Sequence, residues 1–77
     1  MDILKVFGQP RCVQCKMTKR FLDERNIQYK YIDVSQNEKE LNYIKELGFS
    51  SLPVVEYGQV RFSGFRPNSI NSLFGFD

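Results

Sequence analysis

Two short apolar segments flank one amphipathic segment in the first 34 residues, and this order restricts the fold more than any other feature. Residues 3–7 and 28–34 are rich in β-branched and aromatic side chains, which predicts two buried strands. Apolar residues at helical spacing between them predict a helix that begins near Cys12. The predicted core face of this helix comprises Val13, Met17, Phe21 and Leu22. A helix that crosses between two strands of one sheet makes them parallel, with a right-handed connection.

A second helix is predicted after the second strand. Ser35-Gln36-Asn37-Glu38 matches the capping-box pattern in which Ser35 opens a helix. The apolar stripe of this helix is predicted to comprise Leu41, Ile44 and Leu47. Gly48 suits the position just beyond its carboxyl end, where glycine is favoured.

The last third of the chain predicts a hairpin and a short helix. Segments 53–57 and 60–63 flank Gly58, which suits the first position of a type II′ turn between antiparallel strands. Pro67 suits the first turn of a final helix that ends at Gly75. Its inward side chains are predicted to be Ile70, Leu73 and Phe74. The predicted fold is a single α/β domain over residues 1–77, in the order β-α-β-α-β-β-α, with a four-stranded mixed sheet and helices on both faces.

Both cysteines of the chain lie in Cys12-Val13-Gln14-Cys15, between the first predicted strand and helix. Cysteines three positions apart at a helix start share one face, within the Cα separation of about 4.4–6.8 Å that a disulfide requires. A bridge this short closes a minimal loop and adds little stability. Zinc would need two further cysteine or histidine ligands, which only a second chain could supply. We therefore interpret the pair as redox-active.

The position of each cysteine predicts a different role. Cys12 lies at the first helical turn, where unpaired backbone N–H groups and the helix dipole favour a thiolate. Arg11 and Lys16, and to a lesser degree Lys19, add positive charge to the same region. Cys15 lies one turn further in and is expected to be more shielded. We expect Cys12 to attack a target disulfide and Cys15 to resolve the mixed disulfide.

Charge and hydropathy exclude several classes of function. The net charge of +2 is too small to indicate nucleic acid or an anionic membrane as a partner, and its positive excess lies in residues 1–31. Lys19 and Arg20 each have an acid four positions on that partly neutralises them, which predicts an ordinary solvated helix face. No leader-like segment opens the chain, and no stretch approaches the ~20 apolar residues of a membrane span. We expect a cytoplasmic protein, where a dithiol is more often catalytic than structural.

Three segments at matching distances resemble one family. Cys12-Val13-Gln14-Cys15, Leu52-Pro53-Val54-Val55 and Phe62-Ser63-Gly64-Phe65-Arg66-Pro67-Asn68 are similar to the motifs of NrdH-type redoxins. The element order resembles the thioredoxin fold in its smallest, glutaredoxin-like form. The resemblance covers nearly the whole chain. It implies a monomeric dithiol electron carrier, without a separate cofactor, that reduces the large subunit of class Ib ribonucleotide reductase and is recharged by thioredoxin reductase.

The resemblance also implies roles for particular residues. Cys12 would be the nucleophile, Cys15 the resolving cysteine, and Pro53 a cis-proline that faces the dithiol. A cis bond there would leave the backbone of Leu52 free to pair with an extended partner segment. The implied partner surface comprises Arg11, Val13, Gln14, Leu52, Pro53, Ser63, Gly64, Phe65 and Arg66. A structural role is an equal alternative for Arg66.

The chain departs from related patterns in two places. Phe62 stands where this family usually has Trp, so we expect an apolar contact there without an indole hydrogen bond. Gln9 and Ser63-Gly64-Phe65-Arg66 stand where glutathione-using glutaredoxins hold the two glutathione carboxylates, so we expect weak glutathione binding. A glutathione-dependent glutaredoxin is the nearest alternative. The other is a metal module in which two chains pool their cysteines around zinc or an iron–sulfur cluster.

Overall fold

The order of helices and strands follows the hydrophobic pattern of the chain. A computed structural model describes residues 2–75. Its elements are β1 (Leu4–Gly8), α1 (Val13–Glu24), β2 (Tyr29–Asp33), a 3-10 helix (Val34–Gln36), α2 (Glu38–Glu46), β3 (Val54–Tyr57), β4 (Val60–Ser63) and α3 (Pro67–Leu73). The strands form one sheet in the order β2-β1-β3-β4, in which β1 and β2 are parallel and the other two pairs are antiparallel. The predicted order and mixed sheet are confirmed.

Two apolar cores lie on opposite faces of the sheet, because side chains alternate along β1 and β3. Leu4, Val6 and Val55 belong to one core, and Phe7 and Val54 belong to the other. The helices α1 and α3 complete the first core with Phe21, Leu22 and Ile70. The second core is completed by Ile32, Val34 and Ile44, the last from α2. Helices therefore cover both faces, as predicted.

The buried face of α1 differs from the predicted one. Val13 is 71% exposed and Met17 is 44% exposed, so the prediction that they belong to the core was wrong. The buried face comprises Cys15, Thr18, Phe21 and Leu22. The Thr18 hydroxyl donates a 2.8 Å hydrogen bond to the Gln14 carbonyl, so its polar group is satisfied within the helix and its methyl can be buried. The pattern of large apolar side chains therefore does not indicate that Thr18 is buried.

The second helix begins later than predicted. Asn37 is its N-cap, and Asn37 Oδ1 accepts a 3.2 Å hydrogen bond from the Glu40 N–H. Ser35, the predicted cap, lies in the 3-10 helix. The Asp33 carboxylate accepts hydrogen bonds from the Ser35 N–H at 2.9 Å and from its hydroxyl at 2.6 Å. The Ser35 hydroxyl is therefore bonded to Asp33, and Asn37 acts as the N-cap of α2.

The carboxyl end of α2 confirms the predicted role of Gly48. With a φ of 97°, Gly48 donates its N–H to the Lys45 carbonyl, and the Phe49 N–H reaches the Ile44 carbonyl at 3.1 Å. These two bonds form a Schellman motif, which favours glycine at this position. Leu47 is the C-cap and is exposed, so its predicted place in the apolar stripe was wrong.

The predicted hairpin and final helix are both present. Gly58 has a φ of 60° between the antiparallel strands β3 and β4, as the first position of a type II′ turn requires. Pro67 opens α3, and Ile70 is fully buried. The other predicted inward residues, Leu73 and Phe74, are partly buried and pack against the first core.

One carboxylate, that of Glu56 on β3, is buried on the α2 side of the sheet and is only 8% exposed. It accepts hydrogen bonds from the Tyr43 hydroxyl and, at 2.8 Å, from Arg61 Nε, while Lys5 Nζ lies 4.0 Å away. Burial acts to raise the pKa of Glu56. The two hydrogen bonds and the positive charges of Arg61 and Lys5 outweigh burial, so this pKa lies below its ordinary value of 4.5.

Replacement of Glu56 by Gln is expected to lower the free energy of unfolding at neutral pH by roughly 1–3 kcal/mol, because its acceptor oxygen becomes neutral and the ion pairs with Arg61 and Lys5 are lost. A carboxyl group whose pKa is lowered by folding stabilises the fold above its unfolded pKa and ceases to do so as pH falls through the folded value. The difference between the wild type and Glu56→Gln should therefore be complete above about pH 5 and disappear at more acidic pH.

Urea unfolding across a pH series measures this difference. Glu46→Gln is the matched control, since Glu46 is an exposed glutamate near the end of α2. If both variants differ from the wild type by the same amount at every pH, the buried cluster around Glu56 does not stabilise the fold electrostatically.

Candidate active site

Cys12 and Cys15 lie where the chain leaves the central strand β1 and enters α1. Cys12 is the N-cap of α1, in an extended conformation (φ −106°, ψ 107°), and its Sγ accepts a 3.2 Å hydrogen bond from the Cys15 N–H. The two cysteines form a disulfide, and their Cα atoms are 5.2 Å apart. This separation lies in the range predicted from their spacing.

The two sulfurs differ in accessibility. Cys15 is 1% exposed and packs into the core face of α1, whereas Cys12 is half-buried at the end of the helix. The predicted shielding of Cys15 is therefore confirmed. A disulfide of another protein can approach Cys12 from outside, but it cannot reach Cys15 without first opening the fold.

The surroundings of Cys12 favour negative charge on its sulfur. No acidic residue occupies the first turn of α1, so nothing in that turn offsets the positive end of the helix dipole. Arg11 and Lys16 are exposed on either side of Cys12 in the sequence. Arg11 has a φ of 62°, in the left-handed region, within the tight turn that leads into the helix. Their charges reinforce the helix field, although salt screens exposed charges.

The segment before β3 contributes a cis peptide bond between Leu52 and Pro53, as the resemblance implied. Pro53 is buried and Leu52 is half-buried. The Pro53 carbonyl accepts a 2.8 Å hydrogen bond from the Gly64 N–H, which joins this segment to the loop after β4. Within residues 2–75, the backbone of Leu52 makes no hydrogen bond.

The loop after β4 is joined to α1 by a hydrogen bond to the Gln14 side chain and by a contact between two aromatic rings. Gln14 Oε1 accepts a 3.0 Å hydrogen bond from the Phe65 N–H, across 51 positions of sequence. Gly64 has a φ of 89°, in the left-handed region that favours glycine, and a Cβ on it would lie 3.4 Å from the same oxygen. The Phe65 ring packs edge-on against Phe21 of α1, with 5.8 Å between ring centres. The structure therefore brings the predicted residues Gln14, Gly64 and Phe65 together.

Arg66 and Ser63 close the same loop, since Arg66 Nε donates a 2.8 Å hydrogen bond to the Ser63 carbonyl. This contact supports the structural alternative for Arg66, and a partner-binding role stays a prediction. Phe62 packs against the first core, which confirms the expected apolar contact. Val13 lies beside Cys12 with most of its side chain in solvent, and its role in partner binding also stays a prediction.

Sequence reasoning missed two features of this site. The bond from Gln14 to Phe65 joins residues that no local pattern relates. The phenol of Tyr31 on β2 lies against Gly8 and near Cys15, and Tyr31 was assigned only to a strand. The one signal for this contact is the glycine at the end of a largely buried strand, where a close approach by another group is common.

An accessible sulfur at a helix N-terminus, with a shielded sulfur one turn away, defines a dithiol that can exchange disulfides in two steps. With the cis-proline segment and the thioredoxin-like sheet, these features define a thiol–disulfide oxidoreductase. Among residues 2–75, no group of three or more histidine, cysteine, aspartate or glutamate side chains is placed to hold a metal ion.

Comparison with known proteins identifies the family. The model of the glutaredoxin family matches residues 4–62. The glutaredoxin-like protein NrdH of Lactococcus lactis subsp. cremoris is 32% identical, over 92% of this chain and 99% of that protein. The protein of the same name from Escherichia coli is 36% identical, over 91% of this chain and 86% of that protein. The chain belongs to the glutaredoxin family, as an NrdH-type redoxin, as predicted.

A solved structure agrees with this assignment. NrdH-redoxin from Escherichia coli, described as a glutaredoxin-like protein with a thioredoxin-like activity profile, matches with a TM-score of 0.88 at 36% identity. The match covers 91% of this chain and 92% of that chain, and it confirms the thioredoxin-like fold. In the part of the chain from residue 2 to residue 75, no helix has the length and apolar character needed to cross a membrane.

Replacement of Gln14 by Ala should release the loop after β4, because Phe65 loses the acceptor for its N–H. A neutral hydrogen bond contributes about 0.5–1.5 kcal/mol, so the Phe65 amide is expected to exchange with solvent roughly two- to tenfold faster. Amide hydrogen exchange followed by NMR measures this change. Gln9→Ala, at an exposed glutamine just before the dithiol, is the control and should leave the exchange of Phe65 unchanged. Equal protection of Phe65 in both variants would show that Gln14 does not hold the loop.

Proposed function

We propose that the protein carries electrons from thioredoxin reductase to a disulfide on the large subunit of class Ib ribonucleotide reductase. The observation that carries this proposal is the asymmetric dithiol, in which Cys12 is open to a protein disulfide and Cys15 is 1% exposed. The NrdH name of its relatives and the thioredoxin-like activity profile described for the Escherichia coli protein support the same choice of partners.

The proposed reaction has two steps. The Cys12 thiolate attacks one sulfur of the client disulfide, which forms a mixed disulfide and releases the other client sulfur as a thiolate. Cys15 then loses its proton, which the released client thiolate can take up, and attacks Cys12 Sγ; this forms the Cys12–Cys15 disulfide and releases the second client thiolate. Two electrons pass from the dithiol to the client, and the released thiolates take up protons. Thioredoxin reductase supplies two electrons to reopen the disulfide.

The surface around Cys12 offers an extended client segment both polar and apolar contacts. The Leu52 backbone lacks a hydrogen-bond partner within residues 2–75, so its N–H and C=O can pair with a client strand. Val13, exposed beside Cys12, offers an apolar contact. We infer that Gly64 and Phe65, held in place by Gln14, form the opposite side of this surface.

The same surface offers little to glutathione, whose two carboxylates need charged or multiple hydrogen-bond donors. Gln9 is neutral, and the loop residues Ser63, Gly64 and Phe65 carry no charge. The Arg66 guanidinium already donates to the Ser63 carbonyl. We therefore favour a protein reductase as the electron source. We also infer that the protein acts as a monomer, because one chain holds both cysteines of the dithiol. We infer a cytoplasmic location because a dithiol in a reducing compartment is more often catalytic than structural.

A coupled assay with two electron sources tests the proposal. With NADPH, thioredoxin reductase and a class Ib ribonucleotide reductase, we expect NADPH consumption that depends on the protein. With glutathione and glutathione reductase in place of thioredoxin reductase, we expect only background turnover. Cys12→Ser and Cys15→Ser should each lower turnover to background. Preferential turnover with glutathione would identify a glutathione-dependent glutaredoxin and refute the proposed electron source.

A trapping experiment tests the order of the two cysteines. Cys15→Ser should accumulate a mixed disulfide with the client through Cys12, because the second step cannot occur. Cys12→Ser should accumulate none, because the remaining thiol is buried. Mass spectrometry of the covalent complexes identifies the linked sulfur. A complex that forms through Cys15 would reverse the assigned roles.

A further inference from the structure

The space above the Cα of Gly8, at the end of β1, is filled by the side chain of Tyr31. A Cβ on Gly8 would lie 2.8 Å from Tyr31 Cζ and 3.0 Å from Cys15 Sγ, with the Tyr31 hydroxyl nearer still. Because Gly8 has no side chain, the phenol of β2 and the buried sulfur of α1 share one small space.

Among the described residues, the hydroxyl of Tyr31 has no hydrogen-bond partner. The hydroxyls of Tyr29 and Tyr43 donate to the carboxylates of Asp23 and Glu56. In contrast, the Tyr31 hydroxyl makes no hydrogen bond to any residue from 2 to 75. A disulfide sulfur is a weak acceptor, whereas a thiolate is a strong, charged one. The donor is therefore available for the state in which Cys15 carries negative charge.

Lys19 of α1 completes the cluster. Among residues 2–75 it forms no salt bridge with Asp23, whereas the equivalent pair of Arg20 with Glu24 is present at 3.3 Å. Lys19 Nζ instead lies 4.1 Å from the centre of the Tyr31 ring, as a cation over an aromatic face. A positive charge beside a phenol polarises its O–H bond and makes it a better hydrogen-bond donor.

The phenol keeps its proton under the conditions in which thiols react. Burial raises the pKa of Tyr31 above its ordinary value of 10.0, and the negative charge of Asp33 raises it further. Tyr31 can therefore donate a hydrogen bond across the neutral and mildly alkaline range without becoming ionised.

We propose that the Tyr31 hydroxyl donates a hydrogen bond to Cys15 Sγ whenever that sulfur is a thiolate, with Lys19 as the positioning residue that holds the ring. The proposal rests on the order of the cysteines under the proposed function. During client reduction, the bond stabilises the thiolate that attacks Cys12. During recharging, the reductase attacks Cys12 Sγ and the Cys12–Cys15 disulfide breaks. The hydrogen bond from Tyr31 then stabilises the departing Cys15 thiolate. Tyr31 keeps its own proton in both directions.

A reaction with a small aromatic disulfide, the dimer of thionitrobenzoate, isolates the second step. Cys12 attacks the reagent and releases one coloured thiolate, at a rate that rises with reagent concentration. Cys15 then displaces the second coloured thiolate from Cys12, at a rate independent of reagent concentration. Cys15→Ser should show only the first phase. No ribonucleotide reductase or thioredoxin reductase takes part, so failure of those partnerships would leave this measurement unaffected.

Tyr31→Phe keeps the ring and removes the donor, which should raise the pH midpoint of the second phase by about one unit. Below the midpoint, the variant has about tenfold less Cys15 thiolate than the wild type, but each of these thiolates is about threefold more nucleophilic. The second phase should therefore be about threefold slower at neutral pH and about threefold faster above both midpoints. The first phase should not change. This variant retains the charged and titratable groups that face the phenol, which are Lys19 and Cys15 of α1 and Asp33 and Tyr29 of β2.

Two further variants complete the test. Tyr29→Phe removes a hydroxyl from the same strand, where it donates to Asp23, and should leave the second phase unchanged. Lys19→Met removes the charge and keeps the hydroxyl, and should shift the midpoint upward by less than Tyr31→Phe. The proposal is overturned if Tyr31→Phe has the wild-type profile, if it slows the second phase equally at every pH, or if Tyr29→Phe produces the same shift. A wild-type profile for Lys19→Met would remove Lys19 from the proposal.

Discussion

The hydrogen bond from the Cys15 N–H to Cys12 Sγ joins the chemistry of this protein to its fold. Helices usually begin with an oxygen acceptor from Ser, Thr, Asp or Asn, and in α1 a sulfur takes that place. The reacting atom is therefore held by the helix whose field favours its negative charge. Strand β1 fixes where that helix begins, because its side chains are buried on both faces of the sheet.

Two hydrogen bonds then join three distant segments around the dithiol. Gln14, inside the Cys-x-x-Cys motif, accepts from Phe65, and the neighbouring Gly64 donates to Pro53. The helix, the loop after β4 and the cis-proline segment are thereby held in one arrangement. A redox carrier breaks and forms a covalent bond at each turnover. These contacts use neither sulfur, so opening the disulfide does not by itself remove any of them.

The sequence predicted those parts of the molecule that depend on local signals. The element order, Gly48 at the end of α2 and Pro67 at the start of α3 follow from periodicity and from backbone preferences. The buried face of α1 and the start of α2 could not be predicted in the same way. There, the hydroxyl of Thr18 and the carboxylate of Asp33 form specific hydrogen bonds that change which residues are buried or act as caps. Contacts between distant residues, such as those of Gln14 and Tyr31, arise only when the sheet has assembled.

The burial of Cys15 has two opposing effects on its reactivity, and the Cys-x-x-Cys motif alone does not account for both. Shielding keeps this sulfur away from foreign disulfides, but burial also disfavours the anion that must attack Cys12. The helix dipole acts mainly on Cys12, at the outermost position, and falls off within the first turn. Under the proposal above, a second source of stabilisation comes from another element, because Tyr31 of β2 places a donor in the same space as this sulfur. Gly8 is then as much part of the site as the cysteines, because a side chain there would occupy the space of the phenol.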